Sequence, residues 1–422
     1  MLIFDFLAGA TGRDCPWHPT KKCPWTWKLV WIYWFSMAHK WYTQQLEQLR
    51  RDGLYRQMRT MESGPGRLMQ VGGEEKLVFC SNNYLGLAGH PRMITAIKQG
   101  LDQWGFGSGG ARLICGNSRP CERLQMRLAE MLRKEASVIF PSGYAVNNAV
   151  LSTLPQDGDL IAVDKLVHAS IIDGAQAGRA QMRTWPHRNL DKLKRLLDRG
   201  GYQRVFIVTD SLFSMDGDMA DLEGLIELKR QFGAVLMVDE AHAFGCMGPG
   251  GYGCGEQAGG LDDIDIFVGT FSKALGGSGG FVGCSQVMFD YLVNKSRGFI
   301  FTTGIPAINC IAAEAALDII ADEPERRQRL LDNGVYFRRR CQEMDLDIGV
   351  TQSYIVPIML GLADKAVAAA NELWDRGFMV SAIRPPTVAP GSARLRVSLM
   401  SEHTHEDIDG LCGELERILV VG

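Results

Sequence analysis

Between residues 136 and 275 the chain alternates short apolar runs with longer amphipathic stretches. The runs are SVIF, DLIAVD, RVFIVTD, VLMVDE and DIFVGT, and each closes on a turn residue, a carboxylate or a hydroxyl. Apolar runs of about four to eight residues suit strands buried on both faces, the condition of a parallel sheet sandwiched between helices. The intervening stretches, such as ADLEGLIELKRQFG, carry helical spacing. Strand–helix alternation of this kind predicts an α/β domain with a mostly parallel sheet covered by helices. Sites in such sheets lie beyond the carboxyl ends of the strands.

The flanks follow other patterns. From Trp41 to Met61 apolar positions recur at helical spacing (Leu46, Leu49, Leu54, Met58), interrupted by Gly53. SGPG marks a turn, KLVFCSNNYLGL reads as a strand entering a polar turn, and PRMITAIKQGLDQWG as a helix with proline in its first turn. GFGSGGARLICGN is too rich in glycine for a regular element. After Thr303 one long helical run extends to Met344, and the last hundred or so residues give short strands and helices, a smaller α+β domain. The expected organisation is an atypical extension over 1–36, a helical and strand segment over 37–82, a large domain over 83–318 and a small domain over 319–422.

Composition narrows the class. With 422 residues, 46% hydrophobic and 22% charged, the chain is that of an ordinary globular protein. A formal net charge of −3 offers no electrostatic case for nucleic acid or a membrane surface. The eleven cysteines show no CxxC pair or metal-type spacing, which argues for a reducing, cytoplasmic setting and no metal site. Residues 1–36 hold five of the nine tryptophans, and WKLVWIYWF is apolar but too short to span a bilayer. A surface anchor is one reading of this piece; a dispensable extension ahead of a functional start at Met37 is the favoured one.

The chemistry concentrates at two strand ends. VLMVDE delivers Asp239, and DIFVGTFSK delivers Thr270, Ser272 and Lys273 thirty-four residues later, about one strand–connection–strand unit. A carboxylate and a lysine on adjacent strand ends suit pyridoxal 5'-phosphate: the lysine bonds the aldehyde, and the carboxylate keeps the pyridine nitrogen protonated. His242 follows three residues after Asp239. A helix starting near Gly143 offers free N–H groups to a phosphate. His168, on the turn after DLIAVD, Ser214 and Arg396 in ARLRVSL are further candidates.

Taken in order, SNNYLGL, GSGGARL, SGYAVN, HAS, FSMDGD, VDEAHAFG, GTFSKALGG, FIFTTGIP and TVAPGSARLRVSL resemble the α-oxoamine synthases over roughly residues 40 to 420. These are pyridoxal phosphate enzymes of fold type I that join an amino acid to an acyl thioester with loss of CO2. The resemblance implies Lys273 as the Schiff-base lysine, Asp239 as partner of the pyridine nitrogen, His242 on the ring's phenolic oxygen and His168 stacked on the ring. It implies Gly143 and Tyr144 at the phosphate, with Ser214 and Thr270 around the cofactor. Arg396 and Asn82 fall to the amino-acid carboxylate, and Arg56 to the acyl substrate. Thr303 would reach the phosphate of a neighbouring subunit, so a homodimer with shared active sites is expected.

AIRPPTVAPGSARLRVSL and SRGFIFTTGIP resemble most the branch that joins L-alanine to a pimeloyl thioester, on coenzyme A or a carrier protein, in biotin synthesis. Two positions depart from the family: Cys121 replaces its histidine in GNSRPC, and Ala111 its serine in GGAR. Glycine C-acetyltransferase and serine palmitoyltransferase remain alternatives. So do an ordinary aminotransferase and a non-catalytic partner subunit, the latter disfavoured by Lys273.

Overall fold

The computed structural model describes residues 39–421; the segment 1–36 and its two readings lie outside the described residues. The chain divides into two compact units, Met1–Met58 and Arg59–Gly422. In the first, a helix covers 39–51 and the residues after it up to 58 are irregular. The interruption expected at Gly53 is where the helix ends, and Gly53 takes a left-handed φ of 66°. Leu54 N–H then turns back to the Leu49 carbonyl at 2.8 Å, a glycine stop that ends the helix.

The second unit is built on thirteen strands. In chain order they are β1 (Leu68–Val71), β2 (Glu74–Val78), β3 (Ala136–Phe140), β4 (Leu160–Asp164), β5 (Gln181–Trp185), β6 (Val205–Asp210) and β7 (Val235–Asp239). Then follow β8 (Ile266–Thr270), β9 (Gly280–Cys284), β10 (Ile355–Gly361), β11 (Phe378–Met379), β12 (Ser381–Ile383) and β13 (Ala393–Ser398). Seven form the central sheet in the order β3-β9-β8-β7-β6-β4-β5. Only β9 runs against the others, antiparallel to both β3 and β8, so the expected mostly parallel sheet is what the chain forms.

The two faces of this sheet belong to two separate cores. Along β4, Leu160 and Ala162 enter one and Ile161 and Val163 the other; in β7, Leu236 and Val238 are divided from Met237 in the same way. Each fully buried Leu, Ile, Val or Met side chain among these contributes about 1.5–3 kcal/mol. That is why these runs are apolar at every position rather than alternating.

Periodicity did not anticipate β9, since GGFVGC reads as a glycine-rich break. Its glycines answer to close neighbours. A Cβ on Gly280 would stand 2.7 Å from the Gly143 nitrogen, and one on Gly269 of β8 would stand 2.3 Å from Phe281 Cζ. Phe281 instead stacks between Phe267 and Phe271, with ring centroids 6.2 and 5.3 Å away.

Six helices matter below: α1 (Pro91–Trp104), α2 (Arg119–Met131), α3 (Gly143–Thr153), α4 (Ala169–Ala177), α5 (Ala307–Asp322) and α6 (Glu325–Glu343). The long run after Thr303 is thus two helices, parted at Glu323 and Pro324. Proline cannot donate the helical bond and pushes the residue before it out of the helical region, and Glu323 accordingly has φ −123°. Beyond α6, β10, β13 and β12 make a small antiparallel sheet. β11 joins the β1–β2 hairpin, tying the C-terminal part to the residues before α1.

Candidate active site

β6, β7 and β8 end side by side, with Asp210 paired in register with Asp239 and Asp239 with Val268. Beyond these ends lies a cavity of about 260 Å³. Its floor carries Asp210, Asp239 and Thr270, and its walls include Ser142, Gly143, Tyr144, Asn147, His168, Ser170, His242, Ser272 and Lys273.

One end suits an anion. Ser142 caps α3, its hydroxyl accepting from Ala145 N–H at 3.1 Å. The N–H groups of Gly143 and Tyr144 find no acceptor among the described residues. Free first-turn N–H groups and the helix dipole together favour a phosphate here. Thr270 Oγ1 lies 2.8 Å from Ser272 Oγ and donates to the Gly279 carbonyl at 2.8 Å, which leaves the Ser272 hydroxyl directed by Thr270.

The other end is a set of interacting charges. Asp239 is buried; its Oδ1 accepts from Ala241 N–H at 2.9 Å and its Oδ2 from Asn147 Nδ2 at 2.7 Å. Asp210 accepts from His168 N–H at 3.1 Å, while its Oδ1 has no partner. Burial, and then the charge of Asp239, push the Asp210 carboxyl well above the usual carboxylate range, against the pull of Lys273. Burial draws the Lys273 amine down to about 8, against the opposing charges of Asp239 and Asp210. Far more of it is neutral, and so nucleophilic, at neutral pH than of an ordinary lysine.

Behind these sits a chain of side chains leading to Arg396. His242 Nδ1 lies 2.7 Å from the Tyr84 hydroxyl. Burial and the nearby charges of Lys273 and Arg396 hold His242 neutral. Burial likewise lifts Tyr84 to about 12, so its hydroxyl keeps its proton. Arg396 donates to Tyr84 Oη at 3.3 Å, to Asn82 Oδ1 at 3.3 Å from both terminal nitrogens, to Ser398 Oγ at 2.8 Å and to the Ser214 carbonyl at 2.5 Å.

Gly143, Tyr144, His168, Asp239, His242, Thr270 and Lys273 thus share one cavity, and Asn82 and Arg396 share one hydrogen-bonded cluster next to His242. Ser214 enters through its backbone carbonyl rather than its hydroxyl. Thr303 does not line the cavity of its own chain; it is exposed and bridges to Ala111. Arg56 is exposed and belongs to the first unit. Cys121 is fully buried in α2, its sulfur 2.7 Å from that of Cys310 and 3.8 Å from the Ile305 carbonyl. It packs beneath the segment carrying Thr303 and is absent from the cavity wall.

Sequence reasoning passed over Asn147, Ser170, Tyr84 and Asp210. Asp210 carried a signal, since VFIVTD ends in an acid just as VLMVDE does. The others carried none beyond lying within SGYAVN, HAS and SNNYLGL.

The residues fit pyridoxal phosphate: an anion seat, a carboxylate and a depressed lysine line a single cavity, with the orphaned Oδ1 atoms of Asn147 and Asp210 beside them. No cluster able to hold a metal ion exists among the described residues.

Comparison with known proteins places these features in context. The sequence matches the aminotransferase class I and II family over residues 74–415. An 8-amino-7-oxononanoate synthase of Citrifermentans bemidjiense is 42% identical over 381 residues, which covers 89% of this chain and 97% of the relative. The 8-amino-7-oxononanoate synthase 2 of Bacillus subtilis is 41% identical, covering 88% and 95%. Among solved structures, a serine palmitoyltransferase from S. paucimobilis with bound PLP and myriocin superposes with a TM-score of 0.85 at 29% identity, covering 89% of this chain and 96% of that one. An 8-amino-7-oxononanoate synthase from Francisella tularensis does so with a TM-score of 0.71 at 30% identity, covering 81% and 97%.

Proposed function

Because the chain belongs to the aminotransferase class I and II family, we propose that it is a pyridoxal phosphate-dependent acyltransferase acting as an 8-amino-7-oxononanoate synthase. It joins L-alanine to a pimeloyl thioester, releasing CO2 and the free thiol, in biotin synthesis. The observation that carries this reading is about 41% identity to synthases of that name over nearly the whole chain. The cavity that unites Lys273, Asp239 and the α3 N-terminus agrees with it.

When bound, pyridoxal phosphate supplies an electron sink for negative charge developing at the amino acid's Cα. Lys273 would hold the cofactor at its aldehyde carbon, and its Nζ, when free and neutral, would be the base that takes the Cα proton. Asp239 would keep a proton on the pyridine nitrogen. The N–H groups of Gly143 and Tyr144 would seat the phosphate, with Thr270 and Ser272 beside it. His242, whose Nδ1 lies beside the Tyr84 hydroxyl, would hydrogen-bond the ring's phenolic oxygen through Nε2. Arg396, kept in place by Asn82, Ser398 and the Ser214 carbonyl, grips the alanine carboxylate. His168 would flank the ring and donate to oxygen as the thioester carbonyl becomes charged. Arg56 is assigned to the acyl chain.

The active form is a homodimer in which Thr303 completes the partner's phosphate site. The support is an apolar surface around the Ala111–Thr303 bridge, where Phe106, Leu113, Ile114 and Phe301 are all exposed; monomers rarely leave such a patch in water. No helix among the described residues is long and apolar enough to cross a membrane, in keeping with a cytoplasmic enzyme.

The decisive experiment is a matrix of kcat/KM values for L-alanine, glycine and L-serine, each with pimeloyl, acetyl and palmitoyl thioesters on coenzyme A and on a carrier protein. L-alanine with pimeloyl thioester should be best. One methyl discriminates by only about 1–3 kcal/mol, so some turnover with glycine is expected. A best pair of glycine with acetyl thioester, or serine with palmitoyl thioester, overturns the assignment.

A further inference from the structure

Asn147 and Ser170 have no part in the chemistry above, yet they are 2% and 0% exposed and form part of the cavity wall. They connect two of its working groups. Asn147 Nδ2 is 2.7 Å from Asp239 Oδ2 and 2.9 Å from Ser170 Oγ, and Ser170 Oγ is 2.7 Å from His168 Nδ1.

The directions of these bonds are forced. A carboxylate only accepts, so the amide must turn its nitrogen, not its oxygen, toward Asp239. Both amide protons are then committed, one to Asp239 and one to Ser170. His168 Nδ1 also accepts from the Ser170 backbone N–H at 3.3 Å, and the serine, its oxygen accepting from Asn147, gives its single proton to the same nitrogen. A ring nitrogen that accepts carries no proton. The imidazole proton therefore sits on Nε2, and the ring is open on its cavity side.

Packing places this relay deliberately close. A Cβ on Gly174 of α4 would stand 2.7 Å from the Asn147 carbonyl oxygen and 2.9 Å from Asn148 Cα. The missing side chain lets α4 settle against α3, and Ser170, one turn earlier on α4, reaches Asn147. Charge around the ring works the same way. Burial lowers His168 first; Lys273 adds to this, while Asp239 and Asp173 oppose it.

We propose that Asn147 and Ser170 are positioning residues that lock His168 as its neutral Nε2–H tautomer, making it a hydrogen-bond donor toward substrate oxygen and tying its orientation to that of Asp239. The role in turnover rests on the synthase reading given above; the tautomer does not. An occupied Nδ1 leaves His168 unable to act as a base in the resting enzyme, which reserves proton abstraction for Lys273.

The test reads the ligand-free protein first. With ring-15N histidine, the His168 signals are identified by their loss in His168→Gln. Wild type should show an unprotonated Nδ1 and a protonated Nε2 between about pH 6 and 8, the range in which a free histidine would titrate. Ser170→Ala should mix in the other tautomer, and Ser170→Thr, which restores the hydroxyl, should recover the wild-type pattern. A wild-type His168 that is Nδ1-protonated or doubly protonated near neutral pH overturns the proposal without any variant having to fold. In turnover, Ser170→Ala should lower kcat about tenfold with the KM for alanine little changed. An unchanged kcat overturns the catalytic half. Failure of every alanine–thioester pair would defeat the synthase reading while leaving the tautomer result standing.

Discussion

Replacing Lys273 by methionine removes the amine at nearly constant side-chain length, and the structure says what that does to a protein without cofactor. Lys273 falls from 10.5 to about 8 because its surroundings disfavour the charge. The unfolded chain therefore binds more protons than the folded one between about pH 8 and 10.5, so stability rises with pH across that window. At pH 7, below both values, the penalty is present in full. At about 1.36 kcal/mol per unit the shift corresponds to about 3 kcal/mol. The amine borders an open cavity and is only half-buried, so water screens part of the cost and roughly 2 kcal/mol is the better expectation. Ligand-free Lys273→Met should therefore unfold a few degrees above the ligand-free parent at pH 7, with the gap closing toward pH 10.5. Pyridoxal phosphate should reverse the order, because the parent gains binding energy by mass action. The variant should also lack both the visible absorbance of lysine-bound cofactor and turnover. A ligand-free variant no more stable than its parent at pH 7 would refute the account of a strained, depressed lysine.

Asp239→Asn should retain some pyridoxal phosphate but lose on the order of 10²-fold or more in kcat, because an amide cannot hold the pyridine proton; near-normal kcat would remove Asp239 from that role. His187 is drawn down by burial but lifted to about 9 by Asp164 and Asp218, whose oxygens lie 2.9 and 2.8 Å from its two nitrogens. Its folded value lies above 6.5, so its stabilisation is full below about pH 6.5 and lost as pH rises through about 9; His187→Gln should flatten that part of a stability–pH curve measured by urea unfolding. Phe301→Asp, which puts a charge on the exposed patch beside Thr303, should shift the protein toward monomer in sedimentation analysis and weaken pyridoxal phosphate retention; a stable dimer with normal retention would move the interface elsewhere.

How much the sequence disclosed depended on what kind of signal each element carries. The buried strands β3, β4, β6, β7 and β8 were legible because burial on both faces makes every position apolar. Asp239, Thr270 and Lys273 were legible because they end such strands. β9 was hidden because its glycines are chosen by the neighbours it touches, Gly143 and Leu132 among them, and no local rule reports a distant backbone. The break at Gly53 was legible because glycine marks a stop, whereas the single run after Thr303 failed at Pro324, where one residue's backbone preference overrode a good apolar period.

The site divides along the same line. Residues that would touch the cofactor or substrate directly lie within distinctive local motifs, most of them at strand ends or helix starts, and these the chain displays. Asn147, Ser170 and Tyr84 act through other residues, and their meaning comes only from what the fold brings within 3 Å: Asp239 from ninety-two positions away for Asn147, and His242 from a hundred and fifty-eight for Tyr84. An asparagine inside SGYAVN looks like any polar residue early in a helix until α4 closes on it at Gly174. The chemistry of such a site can be read from the strand ends, while its tuning, the tautomers and the held carboxylate, is a property of packing.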